Sequence, residues 1–156
     1  MKNKLKGFTL IETVLYIGLF SIILLMVVSF MVMTQDSTDK TKDSASLHKT
    51  SQLIIQHINY TFEHTTGIDE DGSIFEAEQG KLTVMVDTLP KTYELLNQQL
   101  YYDSIAISPP DITVERFYLT PIYKESDIIA VRIEILLKDK QDTQLTEEIN
   151  LLSTFR

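Results

Sequence analysis

Hydrophobic and polar positions divide the chain into three regimes. Residues 13–35 form a run of 23 without a formal charge, most of them Leu, Ile, Val, Met or Phe. Coiled as a helix, this run rises about 34 Å at ~1.5 Å per residue, which spans a bilayer core of roughly 30 Å. A second regime begins at Leu47. Leu47, Ile54, Ile58 and Phe62 recur at helical spacing on one stripe, with Ile55 beside it, and Gly67 reads as the stop signal. Residues 47–65 are therefore expected to form an amphipathic helix packed on a C-terminal sheet.

Beyond Gly67 the period becomes two. Leu82, Val84 and Val86 alternate with Thr83, Met85 and Asp87, the pattern of a half-buried strand. Residues 92–96 and 99–103 flank Asn97-Gln98 as the arms of a hairpin, and Pro109-Pro110 ends that pair because proline donates no ladder hydrogen bond. Residues 113–119, 129–138 and 146–155 read as three longer strands joined by polar links at 123–127 and 139–144. In the middle strand Val131, Ile133, Ile135 and Leu137 face one side, with Arg132 and Glu134 on the other. An antiparallel meander under one helix predicts an α+β fold. Between the first two regimes, residues 36–46 are rich in Ser, Thr and Asp, which compete for backbone hydrogen bonds and weaken a helix.

One residue breaks the first pattern. Glu12 is the only charged residue between Leu10 and Gln35. An acid at the centre of a membrane helix costs about 2.5–3.5 kcal/mol, less towards the interface, and it does better with a cation. Upstream, Lys4 and Lys6 lie outside the apolar run. A cut between Gly7 and Phe8 would create an α-amino group four residues before Glu12. Such a group has a pKa of about 7.7–8.0 and is largely cationic at neutral pH. Residues 8 and 12 share a helix face, so the amine would match Glu12 of its own chain or of a neighbour alongside.

The segment Gly7-Phe8-Thr9-Leu10-Ile11-Glu12, behind a basic leader and ahead of a long apolar run, resembles the processing signal of type IV pilins and pseudopilins. The resemblance implies that a prepilin peptidase cuts between Gly7 and Phe8 and methylates the new N-terminus at Phe8. It implies that Glu12 recognises the N-terminus of an adjacent subunit during assembly. It also implies a leader at 1–7, a transmembrane and filament-core helix at 8–35, its amphipathic continuation at 36–67, and a β-sheet globular domain at 68–156. In this family the two helical parts form one rod, so continuity is expected, with 36–46 the weakest part. An ordinary signal anchor would leave Glu12 unexplained, and a cleaved secretory signal has a shorter apolar core of about 7–15 residues.

Composition sharpens this picture. The net charge is −8, and removing the three leader lysines takes the side-chain total to −11. An acidic exterior argues against a nucleic-acid groove, which needs clustered Lys and Arg. The leader lysines predict a cytoplasmic N-terminus and a C-terminal domain outside the membrane. Cysteine is absent, which excludes disulfides and thiolate metal sites. The missing disulfide, and Ser29 where fibre-forming relatives often carry proline, favour a minor subunit.

The expected role is thus structural. The chain reads as a minor pilin of a filament, with a pseudopilin of a type II secretion or DNA-uptake system as the alternative and a signal-anchored extracellular binding domain as the rival of a different class. The resemblance implies as partners the prepilin peptidase, other pilins or pseudopilins, an inner-membrane assembly platform and membrane lipid. No cofactor, metal or catalytic residue is expected. Asp69-Glu70-Asp71-Gly72 is the best cation candidate, but it lacks the later glutamate of an EF-hand loop and reads as an acidic turn. His48, His57 and His64 all fall on the predicted helix without an i,i+4 pair and read as solvated positions.

Overall fold

A computed structural model describes residues 9–154 of the chain. Its single helix, α1 (Leu10–Glu63), is continuous through the Ser- and Thr-rich stretch. The hydroxyls there do not compete with the helix. Thr34, Thr38 and Thr41 each return their Oγ1 to the carbonyl four residues back at 2.8 Å, so every one is satisfied within its own turn. By contacts the chain divides into two units, Met1–Thr41 and Lys42–Arg156.

In the second unit the helix is followed by eight strands in two antiparallel meanders. The first sheet is β1 (Thr65–Ile74), β2 (Lys81–Val86), β3 (Leu89–Leu96), β4 (Gln99–Tyr102) and β5 (Ile105–Ala106), paired in that order. The second is β6 (Ile112–Lys124), β7 (Asp127–Asp139) and β8 (Thr146–Thr154). The fold class is α+β, as the pattern predicts. The single meander is not observed: the strands part into two sheets where Pro109 and Pro110 interrupt the ladder after β5. Instead of β5, β6 meets the segment before β2, where Gln79 bridges Phe117 in parallel.

Three of the hairpins turn on residue pairs with positive φ at both positions, the geometry of a type I′ turn. The pairs are Asp87-Thr88 (49° and 69°), Asn97-Gln98 (49° and 62°) and Asp103-Ser104 (51° and 71°). None contains glycine, so the sequence signals for these turns are weak, and of the three only the Asn97-Gln98 hairpin is expected from sequence. The predicted link at 123–127 shrinks to Glu125-Ser126, because β6 runs on to Lys124 and β7 begins at Asp127.

Gly67 does not stop the helix. Helix α1 ends at Glu63, where His64 N donates to Thr61 O at 3.1 Å, and Gly67 lies inside β1 opposite Met85. Side chains at the junction explain the early end. Thr65 Oγ1 donates to Thr61 O at 2.8 Å and His64 Nδ1 lies 2.8 Å from Tyr60 O, which gives two of the last four carbonyls partners without a glycine cap.

The helical stripe Leu47, Ile54, Ile58 and Phe62 is buried in one cluster with side chains of both sheets, including Leu82, Tyr93, Leu100, Phe117 and Ile133. Along β7, Val131, Ile133, Ile135 and Leu137 are fully buried and Arg132 is exposed, so the period of two sets which face meets the core. Each fully buried aliphatic side chain stabilises the fold by about 1.5–3 kcal/mol.

Candidate functional site

The candidate site is the start of α1. Thr9 precedes the helix and acts as its cap. The Glu12 N–H donates to Thr9 Oγ1 at 3.4 Å, and Thr13 N donates to Thr9 O at 3.1 Å. Thr9 and Glu12 therefore stand at the N-cap and N3 positions of the capping pattern Thr-x-x-Glu. The carboxylate sits in the first turn, where the exposed N–H groups of the helix favour a negative charge by about 0.3–1 kcal/mol. The hydrophobic pattern alone leaves Glu12 an unexplained acid; its three-residue spacing from Thr9 is the signal that reveals the cap.

From Leu10 to Met33 the large apolar side chains are exposed all around the helix, for example Leu10 at 86%, Leu25 at 66% and Phe30 at 71%. The stretch is long and apolar enough to cross a membrane, and it is not buried against the rest of the protein. Such a surface is far beyond the few hundred Å² of apolar patch that a soluble monomer ordinarily leaves open. The Ser21 hydroxyl is satisfied locally: its Oγ donates to Ile17 O at 2.8 Å, so it adds no free donor to the apolar surface. Among the described residues no cation lies within ion-pair distance of the Glu12 carboxylate. Gly7 and Phe8, the expected cleavage and methylation positions, lie outside the described residues.

One of the three histidines differs from expectation. His57 is not a solvated position. It is half-buried between Tyr93 and Tyr102, with ring centroids 5.7 and 4.7 Å away, and its Nδ1 lies 2.9 Å from the Tyr93 hydroxyl. Burial pushes its pKa below the ordinary histidine value. Tyr93 is itself buried and donates its hydroxyl to Thr61 Oγ1 at 2.6 Å; burial, above all, drives its pKa far up and keeps it neutral. His48 and His64 are exposed, the first with Nδ1 2.9 Å from Glu147 Oε2 and the second with Nδ1 2.8 Å from Tyr60 O.

The acidic segment 69–71 lies within β1 at a register shift rather than in a free turn. Asp69 Oδ1 accepts from Gly72 N at 3.2 Å, Ser73 Oγ donates to Asp69 O at 2.6 Å, and Thr83 Oγ1 donates to Gly72 O at 2.9 Å. Asp69 thus closes the bulge within β1, and Thr83 ties it to β2. Among the described residues no three His, Asp or Glu side chains are grouped to hold a metal ion. Compared with protein-family models, with curated proteins and with solved structures, the chain finds no match in any of the three.

Proposed function

We propose that the chain is a minor subunit of a type IV pilus-like filament, processed by a prepilin peptidase and assembled through its N-terminal helix. The observation that carries this reading is Glu12, an acid in the first turn of a helix whose apolar side chains are exposed on every side. That surface requires lipid before assembly and other helices after it. Helix packing alone would not require a charge there. A cationic α-amino group at Phe8, freed by cleavage after Gly7, supplies the counter-charge, and a neighbouring subunit's terminus couples charge neutralisation to docking.

In this reading the globular domain lies outside the inner (cytoplasmic) membrane, the apolar helix enters the filament core, and the protein performs no catalysis. Its partners are the peptidase, other pilins or pseudopilins, the assembly platform in the membrane, and lipid. Expression of Glu12→Ala in the native host tests it. The expected result is a membrane-inserted, processed protein that is missing from sheared filaments; normal incorporation of the variant contradicts the reading.

A further inference from the structure

A cavity of about 530 Å³ opens in the second unit, lined by Gln79, Leu95, Asn97, Gln98, Val114 and Glu115. Its volume falls in the range of about 300–1,000 Å³ typical of small-molecule pockets. Leu95 and Val114 are buried beneath it, and the exposed part of its lining is polar. The other four residues carry three amides and one carboxylate.

Three features of the backbone build this cavity. Asn97 and Gln98 occupy the positive-φ turn between β3 and β4, and that turn is fastened to β6 because Val114 N donates to Gln98 O at 2.9 Å. Gln79 is held opposite by its neighbours: Phe117 N donates to Glu78 O at 3.0 Å and Gly80 N donates to Phe117 O at 2.7 Å. Glu115 stands at a register shift between Val114 and Arg116 in the β6–β7 ladder. Bulges of this kind re-aim a side chain and are frequent beside functional sites. Gln98 is also an uncommon residue for the left-handed region, where glycine or asparagine is favoured. A glutamine kept there in place of glycine keeps an amide at the cavity mouth.

The chemistry of the lining selects its ligand. The side chains of Gln79, Asn97 and Gln98 make no hydrogen bond among the described residues, so their amides are free to pair outwards. An amide both donates and accepts, as does a hydroxyl group, and the two match in any orientation. The carboxylate is already matched, with Lys138 Nζ donating to Glu115 Oε1 at 2.9 Å, so the cavity presents no unbalanced cationic or anionic group. We infer that this cavity is a binding site for a neutral saccharide, recognised through its hydroxyl groups by the Gln79, Asn97 and Gln98 amides. The inference does not depend on filament assembly.

The test is titration of the full-length, isotope-labelled chain in a detergent without sugar headgroups, observed through the side-chain amide signals of Gln79, Asn97 and Gln98. The probes are maltose and N,N′-diacetylchitobiose, with galacturonic acid as the charged control. Gln98→Gly is the decisive variant, because glycine suits the positive φ and preserves the turn while removing the amide. Saturable shifts with a neutral disaccharide, weakened about tenfold or more in Gln98→Gly, are the expected result. Absence of saturable shifts with both neutral probes, equal affinity in Gln98→Gly, or tighter binding of galacturonic acid would each overturn the inference.

Discussion

Glu12 closes the first turn of α1 on Thr9, its backbone N–H donor 3.4 Å from the Thr9 hydroxyl oxygen. That bond uses only the backbone of residue 12; the local reason for an acid there is the first turn's exposed N–H groups, and it stands beside a proposed role between subunits. The two are separable. Thr9→Ala removes the cap and is expected to fray the helix start at a cost of about 0.5–2 kcal/mol, with filament incorporation retained. Glu12→Gln keeps a side chain that suits the N3 position but deletes the charge, and is expected to abolish incorporation. Quantifying both variants in sheared filaments distinguishes the roles; equal loss in the two would assign Glu12 to helix capping alone.

The Tyr93 hydroxyl joins the sheet to the helix, donating to Thr61 at 2.6 Å with His57 Nδ1 at 2.9 Å. Tyr93→Phe takes the hydroxyl away from half-buried His57 Nδ1, while Thr61 keeps its bond to His57 O, and should destabilise the second unit by about 0.5–1.5 kcal/mol. Denaturant unfolding would show this as a lower midpoint with an unchanged slope. A midpoint equal to that of the wild type would mean that the cluster contributes no net stability.

Burial of His57 predicts a pH dependence with a definite sign. Its folded-state pKa lies below the ordinary value, so the unfolded chain takes up the proton first on acidification. Its effect on stability is absent above an unfolded pKa of about 6.5, and stability falls as the pH drops through that value towards the lower folded one. The unfolding midpoint should therefore fall more between neutral and mildly acidic pH in the wild type than in His57→Gln. Identical profiles for the two chains would show that His57 does not carry the effect.

Gly80 is required by close approach. A Cβ there would lie 2.7 Å from the Phe117 carbonyl oxygen, whereas one at Gly67 would meet nothing within 4 Å. Gly80→Ala should cost about 1–3 kcal/mol by forcing the segment away from β6, while Gly67→Ala should change stability by less than about 1 kcal/mol. Thermal unfolding of the pair checks the contrast.

Much of this fold is legible in the sequence because it rests on periodicity. The stripe at Leu47, Ile54, Ile58 and Phe62 and the alternation at Val131, Ile133, Ile135 and Leu137 both mark buried faces. The features that escape depend on contacts distant in sequence or on turns without glycine. Nothing local marks His57 as a partner of Tyr93, 36 residues away, or Gln79 as a neighbour of Phe117. Asp87-Thr88 and Asp103-Ser104 lack the glycine that normally marks a type I′ turn, and strand β1 hides behind an acidic segment that resembles a loop. At the candidate site the apolar helix and its acid stand out in the sequence. The Thr9 cap is written there too, but the greasy run beside it is the stronger signal and masks it.

The central claim is that an acid at the head of an apolar helix is matched by a positive terminus made by proteolysis. Mass spectrometry of the protein recovered from filaments measures that terminus directly. The account predicts a chain beginning at Phe8 with a methylated amine. Filament-borne chains that still carry residues 1–7 would contradict it.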